Sequence, residues 1–469
     1  MTDVVLDLPA LGRFVAETGR RDIPEEIWTF GRLLLLDSLG ALIGGLRYPA
    51  VQQLGENLQI AVEQTDGVPF AWTTTLGSAA TWLDADSGGS FHPAGARLPP
   101  VPTAHPAPHV LPALLHALTA GAVDDDTAIA AFVLGCEVGL RFGVGTSLRP
   151  GLHPHGIHGP IAAAVTMCAF VGADAERSTR AIGLGGSVPL AATLAVPMHG
   201  GTVRNLWTGL GSYYGALAAA NAAAGTVDDG LLETLYDGVV TTDVDVDEIT
   251  GQLGERWRLR DSYLKPYACA RWVHPTLDAL RPALAAAGDP APSDIVAIDI
   301  GTFAFAASLD TAGAESDLHA RFSIPRCVAS VVLDGRLDAD GFLPEQFDRP
   351  EIGVLIDRVH LREVPDFSAE LPTNRPSRVT VRTVSGNFTA EVRNARGNPD
   401  SALTVDEVVE KFRGNVGSFL PVDVLDSVIH TLTASATTDT RGSATTDTRG
   451  SATTTTLRDL AVAIRTAVA

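Results

Sequence analysis

The stretch Trp28–Gly45, WTFGRLLLLDSLGALIGG, decides the fold class. Arg32 and Asp37 are its only charges, and apolar residues point to every side of a helix drawn through it. Such a helix cannot lie on a surface with one wet face, so other helices have to enclose it. Three segments, Ala113–Ala120, Thr127–Phe142 and Pro160–Val171, are rich in Ala, Leu and Val with small residues at close spacing. They read as tightly packed helices, with Asp126 or Thr127 as the cap of the second. Tyr213–Ala224 adds another. Residues 1–259 therefore predict a large all-helical domain.

The period changes after about residue 260. Ile295–Phe303 (IVAIDIGTF) is β-branched and roughly alternating, and Arg378–Val384 and Asn387–Val392 alternate as well. The last two meet at Ser385-Gly386, which reads as a hairpin. Ile324–Leu333 reads as a helix between them. In Thr404–Phe412 (TVDEVVEKF), Thr404 can be the N-cap and Glu407 its capping-box partner. The expected fold is mainly α with a smaller α/β (α+β) domain at 260–403. Helices at 404–469 then return to the helical domain. Within that tail, Ser435–Gly442 (SATTDTRG) recurs unchanged at Ser443–Gly450. A Thr/Ser/Gly tract over 435–456 cannot pack a core and reads as a linker grown by tandem duplication.

Hydrophobic residues make up 45% of the 469, enough to bury a large core and exclude general disorder. Lys and Arg number 34 against 55 Asp and Glu, a net charge of −21, which argues against nucleic acid as the main partner. Cys136, Cys168, Cys269 and Cys327 lie far apart without CxxC spacing, so no zinc knuckle or disulfide framework is expected. The uncharged run Ala181–Val203 is broken by Gly and Pro and reads as buried helix and loop rather than a membrane span. The opening MTDVVLDLPALGRFV lacks the basic start of a secretory leader. A cytoplasmic location with no membrane partner is the expectation.

Only two lysines, Lys265 and Lys411, survive in a background that otherwise uses arginine. A retained lysine is a candidate for work that needs a compact ammonium, and Lys265 is the stronger of the two. Seven of the 12 histidines fall between positions 92 and 158. One cluster joins Asp84 and Asp86 to His105 and His109. The other is Gly151-Leu152-His153-Pro154-His155-Gly156-Ile157-His158-Gly159-Pro160, directly ahead of a helix, where imidazoles and backbone N–H groups could meet an anion. A single loop histidine is ordinarily only a hydrogen-bonded loop residue; the clustering favours function. A metal reading of His153, His155 and His158 competes, but the spacing is not that of a helical pair and no Cys or Glu stands nearby. No G-x-S-x-G elbow is present, and Gly183-Leu184-Gly185-Gly186 follows a helix-like stretch rather than a strand, so hydrolase and dinucleotide readings fail. A third cluster, Lys265-Pro266-Tyr267-Ala268-Cys269-Ala270-Arg271-Trp272-Val273-His274, lies at the junction of the two expected domains, where pockets form.

These segments resemble the MmgE/PrpD family in order and spacing. Asp37-Ser38-Leu39-Gly40-Ala41 is similar to its D-[ST]-L-G-A segment. Leu83-Asp84-Ala85-Asp86, with His105-Pro106 and Val110-Leu111-Pro112, resembles its LDFDD…HPSAPVLP segment. Gly151-Leu152-His153-Pro154 resembles GFHPT, and Lys265-Pro266-Tyr267 with His274-Pro275 resembles KPYP…HP. Arg321-Phe322-Ser323-Ile324-Pro325 and Arg396-Gly397-Asn398-Pro399 resemble KFSxPY and RGDP. The resemblance implies a cofactor-free homodimer whose α/β domain is a lid, with the active site between the two domains. It implies that Asp84, His105, His153, Lys265 and His274 stand where the family keeps its pocket residues.

The departures are informative too. Ser87 and Gly88 replace an acidic residue and a threonine, and an insertion at 89–104 brings its own His92. Arg204 and Trp207 stand for a lysine and a histidine, and Arg326 for the Tyr of FSxPY. These changes point away from the standard substrates, 2-methylcitrate and cis-aconitate. The expected activity is a cofactor-independent lyase that moves a proton next to a carboxylate, dehydrating a non-standard hydroxy acid. Isomerisation, epimerisation or decarboxylation of a related acid, or a lapsed carboxylate-binding protein, are the alternatives. His153 is the expected proton carrier, Asp84 the group that orients an imidazole or takes the second proton role, and His105 and Lys265 complete the catalytic set. His155, His158, Arg204, Tyr267, Arg271, His274 and Arg326 are the expected substrate contacts.

Overall fold

In a computed structural model of the chain, residues 4–63, 68–90, 93, 95–98, 104–121, 123–189, 193, 195–224, 230–314, 316–434 and 456–468 are described. The repeat at 435–455 and His92 of the insertion lie outside them.

The helix Glu25–Leu46 contains the opening stretch, and residues from Leu34 to Leu46 are buried without interruption. Around it pack Val68–Trp82, Ala107–Ala120 and Asp125–Val144, together with the returning helices Val405–Val416 and Val422–Thr433. Asp125–Val144 is buried from Ala128 to Val144. These two long apolar helices have the length and composition to cross a membrane, and both are mostly enclosed by protein. The cap of Asp125–Val144 is Asp124, whose carboxylate accepts the Thr127 N–H, not Asp126 or Thr127. Three adjacent acids gave equivalent local signals, and the backbone places the first of them outside the helix. The segment expected as Tyr213–Ala224 begins ten residues earlier, as Val203–Asn221.

Two glycines set the spacing that matters for function. A Cβ on Gly77 would lie 2.5 Å from Gly209 Cα, and one on Gly209 would lie 2.2 Å from Thr74 O. The helices Val68–Trp82 and Val203–Asn221 therefore touch backbone to backbone, which no larger residue would allow. The C-terminal end of the first helix and the start of the second are thereby drawn together.

The smaller α/β part holds a four-stranded sheet of β1 (Ile295–Thr302), β2 (Val359–Glu363), β3 (Ser377–Thr383) and β4 (Gly386–Val392), in the order β2-β1-β3-β4. β1 runs parallel to β2 and antiparallel to β3; β3 and β4 form the expected hairpin. Gly386 pairs with Thr383, so the turn is Val384-Ser385, one residue earlier than expected. The helix His274–Ala286 packs on β3 and β4, and Ile298, Ile300, Val379 and Val381 join it in a second core. The capping box at Thr404 and Glu407 is present, and Thr456–Val468 is a helix that closes on the body. All four cysteines are buried and free.

The segment carrying Lys265 belongs to both cores. Leu264 and Ala268 pack into the helical core, while Tyr267, Cys269 and Ala270 pack into the second. The seam between the two bodies therefore runs through this irregular, bent segment.

Candidate active site

Asp84 follows the helix Val68–Trp82 by two residues and takes a left-handed φ of 48°. Its N–H bonds back to Thr81 O, so it closes the helix in the role glycine ordinarily fills, a conformation Asp tolerates better than most residues. The close helix pair sets Arg204 against this end. Arg204 Nη1 donates to Thr81 O at 2.8 Å, and Nη2 donates to Asp84 Oδ1 at 2.7 Å. From the seam, Lys265 Nζ donates to Asp84 O at 2.7 Å and to Asp84 Oδ1 at 3.1 Å. Lys265 of the expected catalytic set and Arg204 of the expected substrate contacts are thus engaged by one buried carboxylate. Burial pushes the Lys265 ammonium down, but Asp84 and Asp86 outweigh it and hold the group above its ordinary value.

Asp84 touches Arg204 and Lys265, so the orienting of an imidazole falls instead to Asp86, which the sequence reading quoted without assigning a role. Asp86 Oδ2 lies 2.9 Å from His105 Nδ1 and 3.8 Å from His155 Nε2. Ser87 O is also 2.9 Å from His105 Nδ1. Two acceptors at one ring nitrogen hold a proton there, so in the neutral imidazole the lone pair of His105 lies at Nε2. Burial would raise the Asp86 carboxyl, but Lys265, His105 and Arg204 together hold it well below the usual carboxylate range.

His153 has the opposite arrangement. Its Nδ1 accepts the backbone N–H of His155 at 3.1 Å, so Nε2 carries the proton. The His105 and His153 rings each stack on His155 at 4.7 Å between centroids. Trp207, standing for the family's histidine, lies 6.4 Å from His153. His153 and His155 are pushed well below the ordinary imidazole range by burial first and then by Arg204 and His105, so both are neutral at pH 7. His105 is more open to the exterior than its partner, with 14% of its side chain exposed against 2% for Asp86.

Tyr263 was missed from sequence. A two-residue pairing sets it opposite Gly88. A Cβ on Gly88 would lie 2.7 Å from both the Tyr263 hydroxyl and His105 Cε1. The glycine that replaces the family's threonine is what lets the imidazole and the phenol share this corner. The only sequence signal was that departure. Arg271 stacks on the Tyr263 ring at 4.8 Å, and burial raises the phenol.

The remaining expected residues divide into three places. Arg271 bonds to Arg396 O, Ala395 O and Asn398 Oδ1 and reaches His274 Nδ1 at 3.2 Å, which ties it to the 395–398 loop. His274 Nε2 faces Cys269 O, and Tyr267 donates to Asp278. These three lie on the α/β side of the seam. His158 turns to the Tyr236 hydroxyl at 3.2 Å, so the competing reading of His153, His155 and His158 as a metal triad gains no support. Arg326 donates to Phe347 O and stacks on that ring, so its polar contacts lie outside the cluster.

Among the described residues, Asp86, His105 and His155 do bring ligand-type atoms within 4.8 Å of one another. Arg204 Nη2 stands 3.4 Å from His155 Nε2 and 3.8 Å from Asp86 Oδ1. A permanent guanidinium at those two atoms opposes a divalent ion, so the set does not suit a metal.

No curated protein matches the chain. The MmgE/PrpD N-terminal domain matches residues 9–228 and the MmgE/PrpD C-terminal domain matches residues 267–432, one on each side of the seam. With both domains present in order, the chain belongs to the MmgE/PrpD family, whose members are generally dehydratases and related lyases.

Proposed function

We propose that the chain is a cofactor-independent lyase that removes a proton from carbon next to a carboxylate and expels a hydroxyl from the neighbouring carbon. The observation that carries this reading is the opposite hydrogen bonding of the two imidazoles that flank His155. His105 offers a lone pair at Nε2, and His153 offers a proton at Nε2. One is built to take a proton and the other to give one, which β-elimination of water requires. Asp86 supports the imidazolium that forms on His105, much as a buried carboxylate supports a catalytic histidine in hydrolases. Arg204 Nε is buried without a partner among the described residues, a donor available to the charge that develops on the carboxylate.

Family membership supports the dehydratase class. The changed residues beside the two imidazoles, Gly88 at His105 and Trp207 at His153, favour a hydroxy acid other than the family's standard ones. The test is a screen of hydroxy acids and unsaturated acids in D₂O, with α-proton exchange read by NMR and product by mass spectrometry. Exchange together with water loss is expected for one acid. Exchange with a retained hydroxyl moves the reading to an epimerase, and binding without exchange moves it to a carboxylate-binding protein.

A further inference from the structure

The chain's two lysines converge on one loop. Lys265 donates to the carbonyl of Asp84, and Lys411 donates to the next carbonyl, Ala85 O, at 3.0 Å. Each ammonium also meets a carboxylate: Lys265 that of Asp84, Lys411 that of Asp37 at 2.6 Å. Lys411 comes from the helix Val405–Val416, and Asp37 from the central helix Glu25–Leu46. Asp37 is fully enclosed and the Lys411 side chain is 7% exposed.

Neutralising Asp37 requires a cation but not one that also reaches Ala85. The carbonyls of residues 84 and 85 are held by separate ammoniums, while the side chains of residues 84 and 86 face Arg204, His105 and His155. A left-handed Asp84 is a conformation that surroundings must enforce. A compact ammonium can meet a carbonyl and a carboxylate from one point, whereas a planar guanidinium cannot take the same place.

We infer that Lys411 is a positioning residue: through Ala85 O it fixes the loop that aims Asp86 at His105, and Asp37 serves to hold the ammonium there. The inference rests on the proposed role of His105, and its test reads His105 directly. In protein with ¹⁵N-labelled histidine, the imidazole shifts report which ring nitrogen carries the proton, with the His105 signal assigned by His105→Gln. At a pH alkaline enough to keep imidazoles neutral, the native chain is expected to show His105 in the Nδ1–H form alone. Asp37→Asn keeps an oxygen acceptor that holds Lys411 at Ala85 O and should leave that form, and turnover, within threefold of native.

The double variant Asp37→Asn/Lys411→Met leaves no unpaired buried charge but removes the anchor. It should fold, show a mixture of both His105 tautomers, and lose at least tenfold in kcat with KM within threefold. A folded double variant with His105 still wholly Nδ1–H overturns the inference and reduces Lys411 to the counter-ion of Asp37. If the double variant does not fold, Lys411→Arg decides: it keeps the charge at Asp37, so a native tautomer there overturns the inference and a mixed one supports it. Should no acid exchange its α-proton in the native chain, the proposed reaction fails while the tautomer result still decides the positioning role.

Discussion

Asp86 Oδ2 and His105 Nδ1 stand 2.9 Å apart, with the carboxylate itself held ionised by Lys265, His105 and Arg204. The pair fixes which end of the imidazole is basic. In Asp86→Asn the side chain keeps its shape, but the amide can donate as well as accept, and the negative charge that supports an imidazolium is lost. Turnover is expected to fall roughly 10²- to 10⁴-fold with the fold intact, the loss typical when a buried carboxylate behind a catalytic histidine becomes an amide. Steady-state kinetics on the acid found by exchange checks this. A loss below tenfold would assign the orienting role to Ser87 O alone.

The same geometry separates the cations. Lys265 is 2% exposed and meets two oxygens of Asp84, so Lys265→Arg is expected to lose at least two decades of turnover and to lower the melting temperature. Arg204→Lys gives up the simultaneous reach to Thr81 O and Asp84 and should cost tenfold or more. Arg326→Tyr, which restores the family's residue, should leave turnover within threefold, because Arg326 is engaged by Phe347. Parallel kinetics and melts of the three variants distinguish these outcomes. A large loss in Arg326→Tyr would return that arginine to the site.

Much of this was legible in the sequence, for definable reasons. A helix apolar on all sides has one solution, burial among helices, and Glu25–Leu46 takes it. The capping box at Thr404 and Glu407 is a local device and needs no tertiary help. The positions of Asp84, His105, His153 and Lys265 could be read from ordered motifs, and they do share one cluster with Arg204. What could not be read was pairing across distance. Asp84 and Asp86 are two residues apart with the same chemistry, and past the left-handed turn at Asp84 one hydrogen-bonds Arg204 and Lys265 while the other hydrogen-bonds the His105 imidazole. Tyr263 enters through a two-residue pairing with Gly88–Gly89, too short to leave a pattern. His158 lies five residues from His153 yet points at Tyr236, because the intervening loop turns at Gly156 with φ of 88°.

Buried neutral histidines make stability depend on pH. Burial pushes His109 and His158 down to about 3, and His153, His155 and His274 well below the ordinary range. Their folded values lie below their unfolded values, so between about 6.5 and 3 the unfolded chain binds more protons than the folded one. Stability is therefore full above the unfolded value and is lost as pH falls through this window. At one unit below an ordinary imidazole value, each such group costs on the order of 1 kcal/mol. Urea melts between pH 7.5 and 5 should show a steep decline on the acid side, and His109→Leu or His158→Phe should flatten it. A midpoint unchanged from pH 7.5 to 5 would mean that these imidazoles are not buried neutral.

Gly88 offers the sharpest local test, because it is where the chain departs from the family and where two site residues meet. A Cβ there would lie 2.7 Å from the Tyr263 hydroxyl, 2.7 Å from His105 Cε1 and 2.9 Å from His105 Nδ1. None of these atoms is the end of a long flexible side chain, and His105 is further held by Asp86 and Ser87. Gly88→Ala must displace the imidazole, the phenol or the two-residue pairing that carries them. Gly88→Thr, the family's own residue, must do so more severely. Both variants are expected to fold, since the cost falls on one corner of the seam rather than on either core. Turnover should drop tenfold or more in Gly88→Ala and further in Gly88→Thr, with Gly88→Ala partly relieved by Tyr263→Phe, which removes one of the two colliding atoms. Native turnover in Gly88→Thr would show that the corner is not where His105 works, and would move the base to another imidazole of the cluster.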